Sequence, residues 1–251
     1  MSTALRRLAL VALSLATAAS LSATVTEKFN QTHPLAADGT VALSNVNGTV
    51  EIVGWDKNEV SIEAEKIASN EAGMKRIEID VDATPDRVTI KTKLEKKWFS
   101  FGFNRAEVRY KLHVPASATL RKIDVVNADV HVRGVKGYVD LDTVNGSIDA
   151  EGLARGGRFD TVNGSIRASF VEVGAKDRIV LDTVNGSATV TLPANAAFSL
   201  KADSVNGSIS CDYPITIGKA GSRHLKGDVN GGGAEVVLDS VNGGLAVRAN
   251  R

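Results

Sequence analysis

Apolar and polar residues alternate along most of the chain, and this period of two is typical of β-strands. In the N-terminal part the alternating segments are Thr40 to Val53, Glu59 to Glu65, Ile77 to Val81, Val88 to Lys93 and Val108 to Val114. Gly, Pro and Asp residues between these segments predict turns. One short helix is predicted, from about Ser69 to Lys75. The pattern therefore predicts an all-β protein.

One heptapeptide, seen as Asp-Thr-Val-Asn-Gly-Ser-Ile at residues 142–148, occurs seven times with small changes. Its central residues are Asn47, Asn127, Asn145, Asn163, Asn185, Asn206 and Asn242. From Asn127 onward the copies are 18, 18, 22, 21 and 36 residues apart, and the last interval contains a glycine-rich insertion at residues 228–233. This spacing is too short for a propeller blade and predicts one coil of a single-stranded β-helix, or β-solenoid, per repeat.

Side-chain parity assigns a direction to each repeat residue, because alternate residues of a strand face opposite sides. Leu141, Thr143 and Asn145 share one parity, which predicts an inward Asn on the apolar face. After Asn-Gly the apolar phase shifts by one residue, which indicates a turn or bulge. Inward Asn side chains of coils in register would stack about 4.8 Å apart and hydrogen-bond to one another as a structural ladder.

The chain divides into three parts by pattern. Residues 1–23 combine Arg6 and Arg7, an apolar run and small residues, which predicts a cleaved signal peptide and an exported protein. A transmembrane anchor is the alternative, but the apolar run is shorter than the roughly 20 residues that a membrane-spanning helix needs. Residues 24–115 are predicted to open and cap the solenoid, and residues 116–251 to form its repeats. Because Asn47 already belongs to the repeat, we expect one continuous domain over residues 24–251.

Composition excludes several classes of function. Lys and Arg number 30 against 29 Asp and Glu, and this net charge of +1 does not favour nucleic-acid binding. A single cysteine, Cys211, excludes an internal disulfide. The four histidines share no metal-ligand spacing, and no nucleophile or phosphate-binding motif is present. We therefore predict no catalytic residues, no cofactor and no metal site.

The chain resembles the putative-adhesin family of exported bacterial β-solenoid proteins, a domain of unknown function. The resemblance rests on the signal-like start, Asn47-Gly48-Thr49-Val50-Glu51-Ile52 followed by Gly54-Trp55-Asp56, the strand ending in His113-Val114-Pro115, and the serial Val-Asn-Gly-Ser motifs. It covers nearly all of the chain after residue 23. It implies a β-helix-like fold and a cell-envelope or surface role, and it brings no catalytic residues.

Two further positions of the repeat carry candidate chemistry. Parity places both outward, an Asp three residues before the Asn and a Val directly before it. An Asp occurs in six copies, as Asp124, Asp142, Asp160, Asp182, Asp203 and Asp239. Stacked coils would align these carboxylates, and we expect water and basic side chains to screen them, with a Ca²⁺ ladder as the alternative. The valines form either an exposed contact stripe or an ordinary strand position before a turn.

Four aromatic residues are concentrated in one segment of a chain that has few of them. They are Trp98, Phe99, Phe101 and Phe103, preceded by Lys96 and Lys97 and placed between two strands expected to be hairpin partners. The segment is either a plug over the open end of the solenoid or a contact loop for a membrane, a glycan or a protein.

Together these patterns predict an exported, non-enzymatic adhesin-like or structural solenoid of the bacterial cell envelope. It would present a rigid surface to an envelope protein or a glycan, in the periplasm, at the cell surface or in the medium. The alternatives are a regulatory or tethering module that binds another envelope protein and, with less support, a polysaccharide-active enzyme. The ligand and the oligomeric state stay open.

Overall fold

The computed structural model describes residues 24–94, 106–221 and 223–250. The N-terminal part contains six strands and one short helix. They are β1 (Val25–Pro34), β2 (Thr40–Trp55), β3 (Glu59–Ala68), α1 (Glu71–Met74), β4 (Ile77–Thr84), β5 (Arg87–Leu94) and β6 (Ala106–Pro115). The helix is shorter than the segment predicted from the sequence. Its N-cap is Asn70, whose side chain accepts a hydrogen bond from the backbone N–H of Gly73.

The remaining strands contain the repeats. They are β7 (Thr119–Arg133), β8 (Val139–Asn145), β9 (Ile148–Leu153), β10 (Gly157–Asn163), β11 (Ile166–Phe170), β12 (Arg178–Asn185), β13 (Ala188–Pro193), β14 (Phe198–Asn206), β15 (Ile209–Cys211), β16 (Thr216–Gly221), β17 (His224–Val229), β18 (Ala234–Asn242) and β19 (Leu245–Asn250). The all-β prediction is confirmed.

Each coil turns at its Asn-Gly corner, so the coils stack into two sheets that share β2 and β7. In the first sheet the parallel strands lie in the order β5, β2, β7, β8, β10, β12, β18, β14. In the second sheet the order is β6, β2, β7, β9, β11, β13, β19, β15. This is the predicted β-solenoid arrangement.

The order of coils in space differs from their order in the sequence at both ends of the stack. The last coil, β18 and β19, lies between β12–β13 and β14–β15. At the other end, β5 and β6 each pair in parallel with β2. The expectation that β5 and β6 form a hairpin is therefore wrong, because hairpin strands pair with each other in antiparallel orientation.

Antiparallel strands cover both ends of the stack. At the N-terminal end β4 pairs with β5, β3 pairs with β6, and β1 pairs with β3. At the C-terminal end β17 pairs with β14, and β16 pairs with β17. The strands β16 and β17, with six residues each, lie within the long interval before the last repeat.

A single apolar core fills the space between the two sheets. Rows of side chains from successive coils form it, such as Leu141, Phe159 and Leu181, all fully buried. Phe159 packs edge-to-face on Phe170 across the sheets, with ring centroids 6.4 Å apart. Among the residues described, no helix has the length and hydropathy needed to span a bilayer.

Candidate functional site: the repeated outer face

The seven repeat asparagines lie at one corner of the stack and form a continuous chain of side-chain hydrogen bonds. In each step the Nδ2 of one Asn donates to the Oδ1 of the Asn in the adjacent coil. The steps run from Asn127 to Asn47, Asn145 to Asn127, Asn163 to Asn145, Asn185 to Asn163, Asn242 to Asn185 and Asn206 to Asn242, over 2.8–3.0 Å. The final two steps reach Asn242 before Asn206, because β18 lies between β12 and β14 in the stack.

The predicted inward direction of these asparagines is wrong. Asn127, Asn145 and the four later members of the chain are exposed, and Asn47 is half-buried. The alternation of a strand holds only while the backbone stays extended, and each coil bends at the Asn. The last inward polar residue is two positions earlier, as in Thr161, whose hydroxyl donates to the carbonyl oxygen of Gly146 in the adjacent coil.

A glycine follows six of the seven asparagines, with Ala128 in that place after Asn127, and it allows adjacent coils to approach closely at the corner. A Cβ built on Gly164 would lie 2.6 Å from the carbonyl carbon of Gly146 and closer still to its oxygen. The same holds for Gly186 against Gly164 and for Gly243 against Gly186. A side chain at these positions would therefore collide with backbone, which has little freedom to move.

The six repeat aspartates form a column on the outer face of the first sheet, called here the aspartate column. Backbone register places them directly opposite one another in the order Asp124, Asp142, Asp160, Asp182, Asp239, Asp203. Basic side chains contact three of them, with Arg158 Nε 2.6 Å from Asp160, Lys201 3.6 Å from Asp203 and Lys122 3.8 Å from Asp124. His224 hydrogen-bonds Asp203 at the C-terminal end of the column.

A row of exposed valines runs beside the aspartate column, between it and the asparagine corner; it is called the valine stripe. It consists of Val126, Val144, Val162, Val184, Val241 and Val205, whose exposed fractions lie between 38% and 57%. Aspartate column, valine stripe and asparagine corner repeat at the strand spacing of about 4.8 Å, so six coils extend over about 24 Å. We call this surface the repeat face.

The sequence model of one family matches nearly the whole of this arrangement. It is that of Toastrack DUF4097, and it matches residues 38–248. The chain belongs to the Toastrack family. The matched range begins just before β2 and ends within β19, so the Toastrack match includes every coil that contributes to the repeat face. No curated protein sequence matches the chain significantly.

Solved structures that resemble this Toastrack protein have low sequence identity. A putative cell adhesion protein from Clostridium sporogenes is 14% identical, with a TM-score of 0.45 and coverage of 89% of this chain and 100% of its own. A putative adhesin from Bacteroides fragilis is 11% identical, with a TM-score of 0.39 and coverage of 88% and 97%. One from Parabacteroides merdae is 13% identical, with a TM-score of 0.30 and coverage of 91% and 96%. At these TM-scores the likenesses carry no functional argument.

Burial raises the proton affinity of three carboxylates in the aspartate column of this Toastrack chain. Asp160 is only 20% exposed, and this desolvation raises its pKa to about 6, with a smaller contribution from the charges of Asp182 and Asp142. Burial also raises the pKa of Asp124 and of Asp239, and neighbouring carboxylates act in the same direction. Arg158 opposes the shift at Asp160 without cancelling it. The column thus carries carboxylates whose charge is costly in the folded state.

We expect Asp160→Asn to stabilise the protein by about 1 kcal/mol at pH 7.5, a value reduced for solvent screening. The folded-state pKa of Asp160 exceeds its usual 3.8, so the folded protein binds this proton more tightly than the unfolded chain does. The destabilisation is therefore present above pH 6 and decreases as the pH falls toward 4. Urea denaturation at pH 7.5 and pH 5 should show the difference between variant and wild type shrinking at the lower pH.

Asp56→Asn, which changes an exposed turn carboxylate, is the matched control for this prediction. A less stable Asp160→Asn variant at both pH values would mean that the ion pair with Arg158 outweighs the cost of burial.

A shallow depression of about 600 Å³ lies over the aspartate column. Its lining comprises Arg121, Lys122, Asp124, Asp140, Asp142, Arg158, Asp160, Thr161, Val162, Asp182 and Val184, with no aromatic side chain among these described residues. Within the part of the chain that the structure describes, no group of three or more His, Cys, Asp or Glu residues is placed to hold a metal ion. The lining instead alternates carboxylates with basic and apolar groups, as a contact surface does.

Several predicted features have a definite place, and others fall outside the described residues. Cys211 is half-buried on β15, and burial raises the pKa of its thiol. The candidate contact loop, Trp98, Phe99, Phe101 and Phe103, lies outside the described residues, as does the predicted signal peptide. The interleaving of basic side chains with the column was not among the sequence-based predictions. Parity alone could have indicated it, because Lys122, Arg158 and Lys201 each stand two residues before a column Asp.

Proposed function

We propose that this Toastrack protein is an exported, non-enzymatic, adhesin-like component of the bacterial cell envelope, and that it binds an envelope protein or a glycan with the repeat face. One observation carries the proposal: the same three outward-facing side chains, Asp, Val and Asn, recur in register on one surface over most of the stack. A surface of this kind is suited to an extended partner that makes the same contact several times.

The valine stripe supports binding because its apolar area is contiguous. Isolated exposed apolar residues are common on protein surfaces, whereas an ordered row of them usually marks a contact site. The second sheet presents mainly polar and charged residues at the equivalent outward positions of its central strands, such as Asp149, Arg167 and Thr189, which lie opposite one another. The two outer faces therefore differ, and the first sheet is the better candidate.

The aspartate column adds a charge preference to the proposed contact. Its carboxylates lie beside one another at strand spacing, and burial raises the pKa of three of them. A partner that places cationic groups over the column would relieve this repulsion. We therefore expect the partner to combine apolar groups with basic groups, and its binding to weaken as salt concentration rises.

A regular column also argues for binding rather than catalysis. An active site needs a few residues in environments that differ from those of their neighbours. Here a carboxylate recurs at the same position in six coils, and the depression above the column has no aromatic lining among the described residues. The repetition favours a binding surface over a single catalytic cleft.

The test is capture from a bacterial envelope extract with immobilised protein. The triple variant Val144→Thr, Val162→Thr, Val184→Thr keeps the β-branched shape and removes the apolar surface. We expect it to retain the wild-type melting temperature and to lose at least about tenfold in capture of a defined protein or glycan. The matched control is Val53→Thr with Val171→Thr, two valines outside the valine stripe.

The predicted contact loop requires its own variant in the same experiment. Trp98→Ser with Phe101→Ser should reduce capture without loss of folding if this segment is the contact, and should destabilise the protein if it is a plug. Capture that persists in the triple valine variant but disappears in the aromatic variant would contradict the repeat face as the binding site.

A further inference from the structure

The first sheet ends in two strands that each have one described partner. At its N-terminal end β4 pairs with β5, and at its C-terminal end β16 pairs with β17. The free side of such an edge strand presents unpaired N–H and C=O groups, which can pair with a strand of another chain. The two edges lie at opposite ends of the stack and belong to the same sheet.

The directions of the two edge strands are opposite. β4 is antiparallel to β5, which runs with the coil strands, so β4 runs against them. β16 is antiparallel to β17, which is antiparallel to β14, so β16 runs with the coil strands. When a second copy is placed on the same axis, β16 of one copy faces β4 of the next in antiparallel orientation. The backbone hydrogen bonds of the first sheet can then continue from one copy to the next without inverting either copy.

The charges at the two edges are complementary. Exposed carboxylates lie along β4, at Glu78, Asp80 and Asp82. Asp80 forms an ion pair with Lys93 of β5 over 2.9 Å, whereas Asp82 lies opposite the uncharged Thr89. At the other edge Lys201 on β14 lies directly opposite Lys226 on β17, the strand that pairs with β16. Like charges directly opposite one another are unfavourable in a sheet. An acidic strand added beside β16 would offset this repulsion.

The apolar sides of the two edges also match. Ile217 on β16 is 58% exposed. It lies opposite Gly227, which lies opposite the buried Leu200, so Ile217 is on the inner side of the sheet. On β4, Ile79 and Val81 are half-buried at the border of the core. Antiparallel pairing of β16 with β4 would bring these inner side chains together and cover the exposed isoleucine.

From these observations we infer that copies of this chain join head to tail, with β16 of one copy pairing with β4 of the next. The contact is heterologous, so it propagates along the stack axis rather than closing into a dimer. The same charges disfavour a pairing of two β4 strands, which would place six carboxylates together. Joined copies would continue the first sheet and present one repeat face after another along the axis, with β17, β16, β4 and β5 between successive faces.

The test is the mass of the exported, purified protein in solution as a function of concentration. Wild-type protein should show a weight-average mass that increases over about a hundredfold range of concentration, as mass action requires. Asp82→Lys changes a charge on the β4 edge, and Lys226→Glu changes one on β17, one strand inside the β16 edge. Each brings like charges near one another at the contact, and each should weaken self-association at least about tenfold. Asp56→Lys and Lys176→Glu make the same changes of net charge in exposed turns, and should leave self-association unchanged.

Mixing the two edge variants provides the decisive measurement. An equimolar mixture of Asp82→Lys and Lys226→Glu should associate more strongly than either variant alone, because the altered edges are then complementary. Circular dichroism and melting temperature confirm that each variant is folded. A wild-type protein that stays monomeric throughout, or self-association that neither edge variant weakens, would overturn the inference and leave these edges to other partners or to none.

Discussion

Replacing Gly164 with Ala is expected to destabilise the protein by about 3 kcal/mol or more, at the upper end of what overpacking costs. The added Cβ would lie 2.6 Å from the carbonyl carbon of Gly146. That carbonyl belongs to the backbone of the adjacent coil, and its oxygen already accepts a hydrogen bond from the hydroxyl of Thr161. Relief would require separating two coils at the corner, where the chain also hydrogen-bonds from Gly164 N–H to the carbonyl of Asn185.

Urea or thermal unfolding of the variant measures this effect, and Gly218→Ala is the matched control. A Cβ on Gly218 would meet only the carbonyl oxygen of Lys226, at 3.6 Å, which is an ordinary contact. The control should change the free energy of unfolding by less than about 1 kcal/mol. Equal stability of both variants would show that the coils can separate at the corner without cost.

Replacing Asn163 with Leu is expected to destabilise the protein by about 2 kcal/mol. The side chain donates to Oδ1 of Asn145 and accepts from Nδ2 of Asn185, so Leu removes two hydrogen bonds at roughly 1 kcal/mol each. It also interrupts the hydrogen-bond chain in its middle. Asn145 and Asn185 are exposed, so water can satisfy the groups left behind, and this keeps the loss below that of a buried pair.

The unfolding free energy in urea tests this second prediction, with Asn58→Leu as its control. Asn58 is an exposed turn residue outside the asparagine chain, so its replacement should alter stability by less than about 0.5 kcal/mol. If both variants unfold at the same urea concentration as the wild type, the amide chain contributes nothing to stability and the corner depends on glycine alone.

The proposed function and the inferred assembly reinforce each other physically, although they rest on different residues. A single copy presents about 24 Å of repeat face. Head-to-tail joining would repeat that face along one axis, and a partner with several weak sites would then bind with increased avidity. The valine variants and the edge variants test the proposed function and the inferred assembly separately. The valine variants should leave the mass of the protein in solution unchanged. The edge variants should leave the binding of a partner to the repeat face of one copy unchanged.

Much of the fold could be predicted from local pattern. Alternation defined the strands, and the heptapeptide defined where each coil turns and which residues are in register. Asp160 and Val162 were expected to face outward and do so. Such predictions succeed because, in an extended strand, the direction of a side chain depends only on its own parity. The same rule failed for Asn163, where the corner ends the extended backbone.

The candidate binding site was predictable in its residue types and only partly in its environment. The sequence showed that six aspartates would align. It did not show that Asp160 would be mostly buried or that its pKa would rise to about 6, because burial depends on neighbouring strands as well as on the strand itself.

The sequence by itself determined the repeat, the corner and the outward Asp and Val, since each follows from residues within one coil. Only the tertiary structure decided the stacking order, in which β18 and β19 enter between β12–β13 and β14–β15. The heptapeptides are so alike that local pattern cannot rank the possible neighbours of a coil. The observed order depends on contacts between residues far apart in the chain, such as the pairing of β14 with both β18 and β17.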